Sequence, residues 1–221
     1  MSILVGIFLV FILLGAIAHA AKPLLSNWGS TEKEKRRALP GDELIQPEWG
    51  YSTRAITIKA APACVWRWLQ QMGQGRGGFY SYTSLENLFG LRIRNAQRIH
   101  PEWQQLEVGN MVKLHPGGGM VVWDKQPAEY LHLAGTPETM RGKPIQQAPN
   151  SSWLFFLQSL DSNTTRLLVR SGSFCGHSPI LRFFVKDILM VVTFIMERKM
   201  LLTIRRRAEA EQCHPQNALL Y

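Results

Sequence analysis

An uncharged run from Ser2 to Ala21 constrains this chain more than any other feature of it. Twenty residues at 1.5 Å rise reach about 30 Å, the thickness of a hydrocarbon core. A helix satisfies its own backbone in lipid, so such a run is stable there. The basic residues come afterwards: Lys22, Lys33, Lys35, Arg36 and Arg37. The positive-inside rule then places the remainder of the chain in the cytoplasm. The expectation is a single-pass transmembrane anchor over residues 1–21. A cleaved signal peptide is the competing reading, because Ala18-His19-Ala20 resembles an A-x-A cleavage site. Against it, no Lys or Arg precedes the run, and the run exceeds a typical signal core.

The formal net charge of +9 is unevenly placed. Residues 1–53 balance at five bases and five acids, whereas residues 54–178 carry thirteen bases and seven acids. Such an excess meets nucleic acid, anionic lipid or no partner at all. No zinc finger, RNP sequence or basic helical repeat accompanies it, so no nucleic-acid partner is expected. The membrane is the expected partner. Cys64, Cys175 and Cys213 make an odd set without regular spacing, which gives no disulfide framework and favours a reducing compartment.

Residues 22–50 read as a juxtamembrane linker, broken by Pro23, Gly29, Pro40, Gly41 and Pro47, with Ser30 or Thr31 placed to cap a short helix. A single domain over 51–211 and a tail over 212–221 complete the chain. Arg54 to Lys59 alternates as a strand, and Pro62 opens a helix with Val65, Trp66, Leu69 and Met72 at helical spacing. A second short helix starts near Ser81 or Thr83 and ends at Gly90. Strands are expected over Val108–His115, Met120–Lys125, Tyr130–Ala134, Ser152–Leu160 and Thr165–Ser173, the last two joined by a DSNT turn. Short spacing between strands points to an antiparallel sheet. The chain closes on a helix over about 179–211. Its stretch Ile188–Met196 is apolar on every face, so two of its sides are expected to be covered.

Several separated motifs agree with one known plan. They are TRAITIKAAPACVWRWLQQMGQGRGGFYSY from Thr53, SLENLFGL from Ser84, Pro101-Glu102-Trp103, RLLVRS from Arg166 and MERKMLLTIRRRAE from Met196. Over roughly residues 40–210 the chain resembles the START-like superfamily, also called SRPBCC, in its bacterial membrane-anchored subgroup. The resemblance implies an α+β helix-grip fold, in which a curved antiparallel sheet wraps a long C-terminal helix. It also implies a cavity between sheet and helix that takes a lipid or other hydrophobic molecule. It carries no catalytic motif onto this chain. A cyclase or dehydratase acting on a hydrophobic substrate is the alternative, since such enzymes share the fold.

The residues with chemistry are few. Gly73-Gln74-Gly75-Arg76-Gly77-Gly78 satisfies G-x-G-x-x-G, but it follows a helix and not a strand, so it reads as a flexible connection. Arg76 at a cavity mouth, facing an acidic head group, is a further reading. Glu86 lies among leucines, and Arg76 and Arg98 are its candidate partners. Tyr80, Glu86, Arg98 and His132 are candidates for acid–base work. Trp66, Phe79, Tyr82, Trp123, Trp153, Phe155, Phe183 and Phe194 are candidates for an apolar lining, with ordinary core as the alternative for most. No histidine pattern has zinc spacing, so neither a metal nor a cofactor is expected. Arg205-Arg206-Arg207 reads equally as a solvated helix end and as a contact for anionic lipid.

Overall fold

A computed structural model describes Gly6 and residues 16–17, 19–45, 50–173 and 179–211; the side chains of residues 50 and 179–189 fall outside that description. Most of the expected anchor, the tail 212–221 and the side chain of Phe183 therefore lie outside the described residues. Among the described residues, no helix is long and apolar enough to cross a membrane.

Six strands form one sheet in the order β1-β6-β5-β4-β3-β2, each pair antiparallel. They are β1 (Gly50–Ile58), β2 (Met111–His115), β3 (Gly118–Gln126), β4 (Tyr130–Gly135), β5 (Ser151–Asp161) and β6 (Thr164–Ser173). Register shifts within β2–β3, β3–β4 and β5–β6 add bend and twist to it. The DSNT turn closes β5 onto β6, where the Asn163 N–H donates to Asp161 Oδ1 at 2.8 Å. Two strand starts differ from expectation by three residues or more. β1 begins at Gly50 because β6 runs far enough to pair with it, Gly50 opposite Ser173. β2 begins at Met111 because Glu107–Asn110 is a turn, with Gly109 at φ 87° and the Glu107 N–H bonded to Asn110 Oδ1 at 3.0 Å.

Helices flank this sheet: α1 (Glu32–Arg36), α2 (Pro62–Gln70), α3 (Thr83–Leu88) and α4 (Pro179–Ala210). Thr31 and Glu34 close a capping box on α1. Neither Ser81 nor Thr83 caps α3. The Ser81 hydroxyl donates to the Met196 carbonyl at 2.9 Å, and Thr83 Oγ1 accepts from Asn95 at 2.8 Å. Gly90 ends this turn at φ 73°.

Period two sorts the sheet's side chains onto two faces. Arg54, Ile56 and Ile58 share the inner face with Trp153, Phe155, Leu157, Leu167 and Val169. That face and α2 grip the C-terminal half of α4 through Met200, Leu201, Ile204 and Ala208, a stripe at helical spacing. This is the helix-grip arrangement. Around residues 190–195, α4 is only partly covered. Ser26 and Trp28 lie against Met190 and Phe194, while Val192 and Ile195 remain exposed.

The outer face carries a third layer. Residues 28–45 cross it, with Leu39 packed among Ala55, Leu154 and Leu168. Arg170 holds this strap through the carbonyls of Glu34, Lys35 and Arg37 and through the Asp42 carboxylate at 2.5 Å. Arg166 binds Glu34 at 2.7 Å and the Gly29 carbonyl at 2.6 Å. The Trp28 carbonyl accepts from the Ala55 N–H on the free edge of β1, which protects that edge.

Candidate functional site

A cavity of about 440 Å³ opens between the inner face and the middle of α4, Val192 to Met200. Its walls are apolar: Phe79, Leu85, Leu91 and Ile93 from the α3 region, Leu114 and Trp153 from the sheet, Met196 and Met200 from α4. Trp153 stands between two other rings, 6.1 Å from Phe79 and 4.8 Å from Phe155. Phe89 and Val192 line the cavity and are also 72% and 38% exposed, so they mark its mouth. Leu88 is 77% exposed beside Phe89, and Ile195 is 43% exposed one turn along α4 from Val192.

Charged groups line this apolar space at two places. Arg54 on β1 and Glu197 on α4 form a buried ion pair. Trp153 Nε1 donates to the second Glu197 oxygen at 2.9 Å, and Arg54 Nε donates to the Leu25 carbonyl at 2.8 Å. Every one of these bonds replaces water that burial removed. The second group is Glu86. It is 2% exposed, lines the cavity, and neither carboxylate oxygen has a hydrogen-bond partner among the described residues. Burial alone pushes its carboxyl up to about 7.

The segment 80–95, which carries Glu86, is held by two asparagines. Asn87 staples the turn after α3, donating to the Ile93 carbonyl at 3.0 Å and accepting the Ile93 N–H at 2.7 Å. Asn95 accepts the Tyr80 N–H at 2.6 Å and donates to the Ser81 carbonyl at 3.0 Å. Tyr80 is held at φ 58°, a left-handed conformation that this surrounding network over-determines.

Of the residues singled out from sequence, Phe79, Glu86 and Trp153 meet in the cavity. Phe155 lies one ring behind it, and Phe194 sits beside Arg54 and Trp28 on the flank of α4. The others lie elsewhere, each for a physical reason. Trp66 is core on α2. Tyr80 donates its hydroxyl to the Trp68 carbonyl at 2.8 Å, and burial raises its phenol. Arg76 turns back to the carbonyls of Gln70 and Trp103 at 3.1 and 2.5 Å. The glycine loop around it closes on itself through paired Gly73–Gly78 bonds of 3.0 Å. Arg98 and Trp123 are exposed, and neither Arg76 nor Arg98 reaches Glu86. Tyr82 is exposed under Lys199. His132 is buried on the outer face beneath Gly41, bonded to Ser152 Oγ at 2.8 Å, and burial pulls its imidazole down. Arg207 packs over the rings of Trp68 and Tyr80. Sequence reasoning missed Arg54 and Glu197. Arg54 alternates with Ile56 and Ile58, and Glu197 interrupts an apolar helix, but neither pattern names the other residue.

No protein-family model matches the chain, and no curated protein does. Among solved structures, the chain is similar to the self-sacrificing resistance protein CalC from Micromonospora echinospora, at 11% identity over 73% of this chain and 95% of that one, with a TM-score of 0.42. It is similar to the Zhui aromatase/cyclase from Streptomyces sp. R1128 at 13% identity over 74% and 93%, with a TM-score of 0.34. It is similar to a conserved protein from Enterococcus faecalis at 16% identity over 77% and 78%, with a TM-score of 0.36. Likenesses this distant say nothing about ligand or activity.

Proposed function

We propose that this chain is a membrane-tethered, START-like domain that binds or transfers a lipid or other hydrophobic small molecule. One observation carries the reading: an apolar cavity of about 440 Å³ whose mouth is made of exposed apolar side chains. That volume lies within the range of small-molecule sites. An exposed apolar rim around a cavity is a surface suited to lipid or to a partner, and here it belongs to the same stretch of α4, residues 190–195, that meets Ser26 and Trp28. The run Ser2–Ala21 would hold this rim against the bilayer, with the domain on the cytoplasmic side. Arg205 and Arg206 lie about 18 Å further along α4 from Thr193, so any contact they make with anionic lipid is separate from the mouth.

The cyclase or dehydratase alternative requires two of Tyr80, Glu86, Arg98 and His132 at one point. Only Glu86 reaches the cavity, so binding is the better-supported reading. The test uses the full chain, extracted from its membrane in mild detergent and studied by native mass spectrometry. A co-purifying apolar molecule is expected, and Leu85→Trp, which fills the cavity, should displace it. A protein that is always empty and takes up no fluorescent lipid analogue overturns the reading.

A further inference from the structure

We propose that the cavity selects a lipophilic amine: an apolar body carrying a cationic nitrogen that pairs with the Glu86 carboxylate. This rests on the binding reading above and names the class of ligand. The first ground is the state of Glu86 itself. Its two oxygens are buried and lack any partner among the described residues, and the residue lines the cavity. A buried carboxylate needs a cation or a proton. The described residues do not supply the cation, because Arg54, the sole base among those lining the cavity, is committed to Glu197.

The second ground is the charge of the lining. With Glu86 ionised, the lining holds Arg54 against Glu86 and Glu197, a net formal charge of −1. The whole chain has a formal charge of +9. An acidic cavity in a basic protein disfavours a free fatty acid or a phosphate inside it and favours a cation. The third ground is aromatic. Phe79, Phe89 and Trp153 line the same space, and ring faces attract a desolvated ammonium. A proton satisfies Glu86 while the cavity is empty, since burial holds its carboxyl up to about 7. An ammonium takes over that role on binding.

Three probes of equal chain length separate the outcomes: dodecylamine, dodecanol and dodecanoic acid. Each is titrated against the full chain in non-ionic detergent at pH 7.5, with empty micelles as the blank. Dodecylamine should bind at least tenfold more tightly than dodecanol, with dodecanoic acid weakest. In Glu86→Gln the amine-to-alcohol ratio should fall to near one. Equal binding of amine and alcohol by the unsubstituted chain overturns the amine assignment and leaves the binding reading standing. A preference that survives in Glu86→Gln overturns the role of Glu86. Failure of all three probes to bind overturns the binding reading itself, and this inference with it.

Discussion

Arg54 and Glu197 are the only charges of opposite sign facing each other across the described part of the inner face, one from the first strand and one from the last helix. Replacing Arg54 by Met leaves Glu197 buried with Trp153 Nε1 as its remaining polar partner. Such a loss costs about 3–5 kcal/mol. Urea unfolding should show it, and the double change Arg54→Met with Glu197→Leu should recover most of the loss. Glu86 behaves differently, because no described residue compensates it. Its carboxyl sits at about 7 in the folded protein against 4.5 for an ordinary glutamate, so the folded state holds its proton more tightly. That contribution is complete below pH 4.5 and is lost as pH rises through 7. Between pH 4.5 and 8 the ligand-free protein should therefore lose on the order of 3 kcal/mol relative to Glu86→Gln. Parallel pH–stability curves for the two would contradict this. Glu86 was legible in the sequence because leucines surround it. Its proposed arginine partners were not, since Arg76 and Arg98 are close in sequence yet turn away to backbone carbonyls and solvent.

At the scale of elements, local signals translated well and long-range ones did not. The capping box at Thr31, Pro62 at the start of α2 and the turn between β5 and β6 are each written within a few residues. The docking of residues 28–45 is not, because its anchors Arg166 and Arg170 lie more than 120 residues away. The hydrophobic run of α4 was visible, but which of its turns are gripped and which border the cavity depends on the sheet. The strap yields two tests. Arg170→Met removes a guanidinium that holds three carbonyls and a carboxylate, so residues 30–45 should become the first site of limited proteolysis. Acid should act on the same element. Arg166 holds Glu34 down at about 2, so its contribution is present above pH 4.5 and is lost as pH falls toward 2. Hydrogen exchange in residues 28–37 should accelerate over that window ahead of the core strands.

For the whole molecule, the fold depends on a segment that precedes its first strand. The strap buries Leu39 against Ala55, Leu154 and Leu168, satisfies Arg166 and Arg170, and keeps water from His132. Residues 25–28 additionally bond Arg54 and cover Met190 and Phe194, so one stretch of chain touches both faces of the sheet. A chain starting at residue 46 would keep all six strands and all of α4 but would leave two arginines and an apolar patch exposed. Losing the buried Leu39 side chain alone forfeits about 2 kcal/mol, and the strap's charge-assisted bonds add to that. A deficit of about 3–4 kcal/mol lowers the melting temperature of a domain this size by roughly 10 °C. Thermal unfolding measured by circular dichroism on chains starting at residues 22 and 46 reads the difference directly. Equal midpoints would mean that the strap lies on the sheet without supporting it. A lower midpoint for the shorter chain would make the segment after the apolar run a working part of the domain, one that ties the cavity's ion pair to whatever holds the N-terminus.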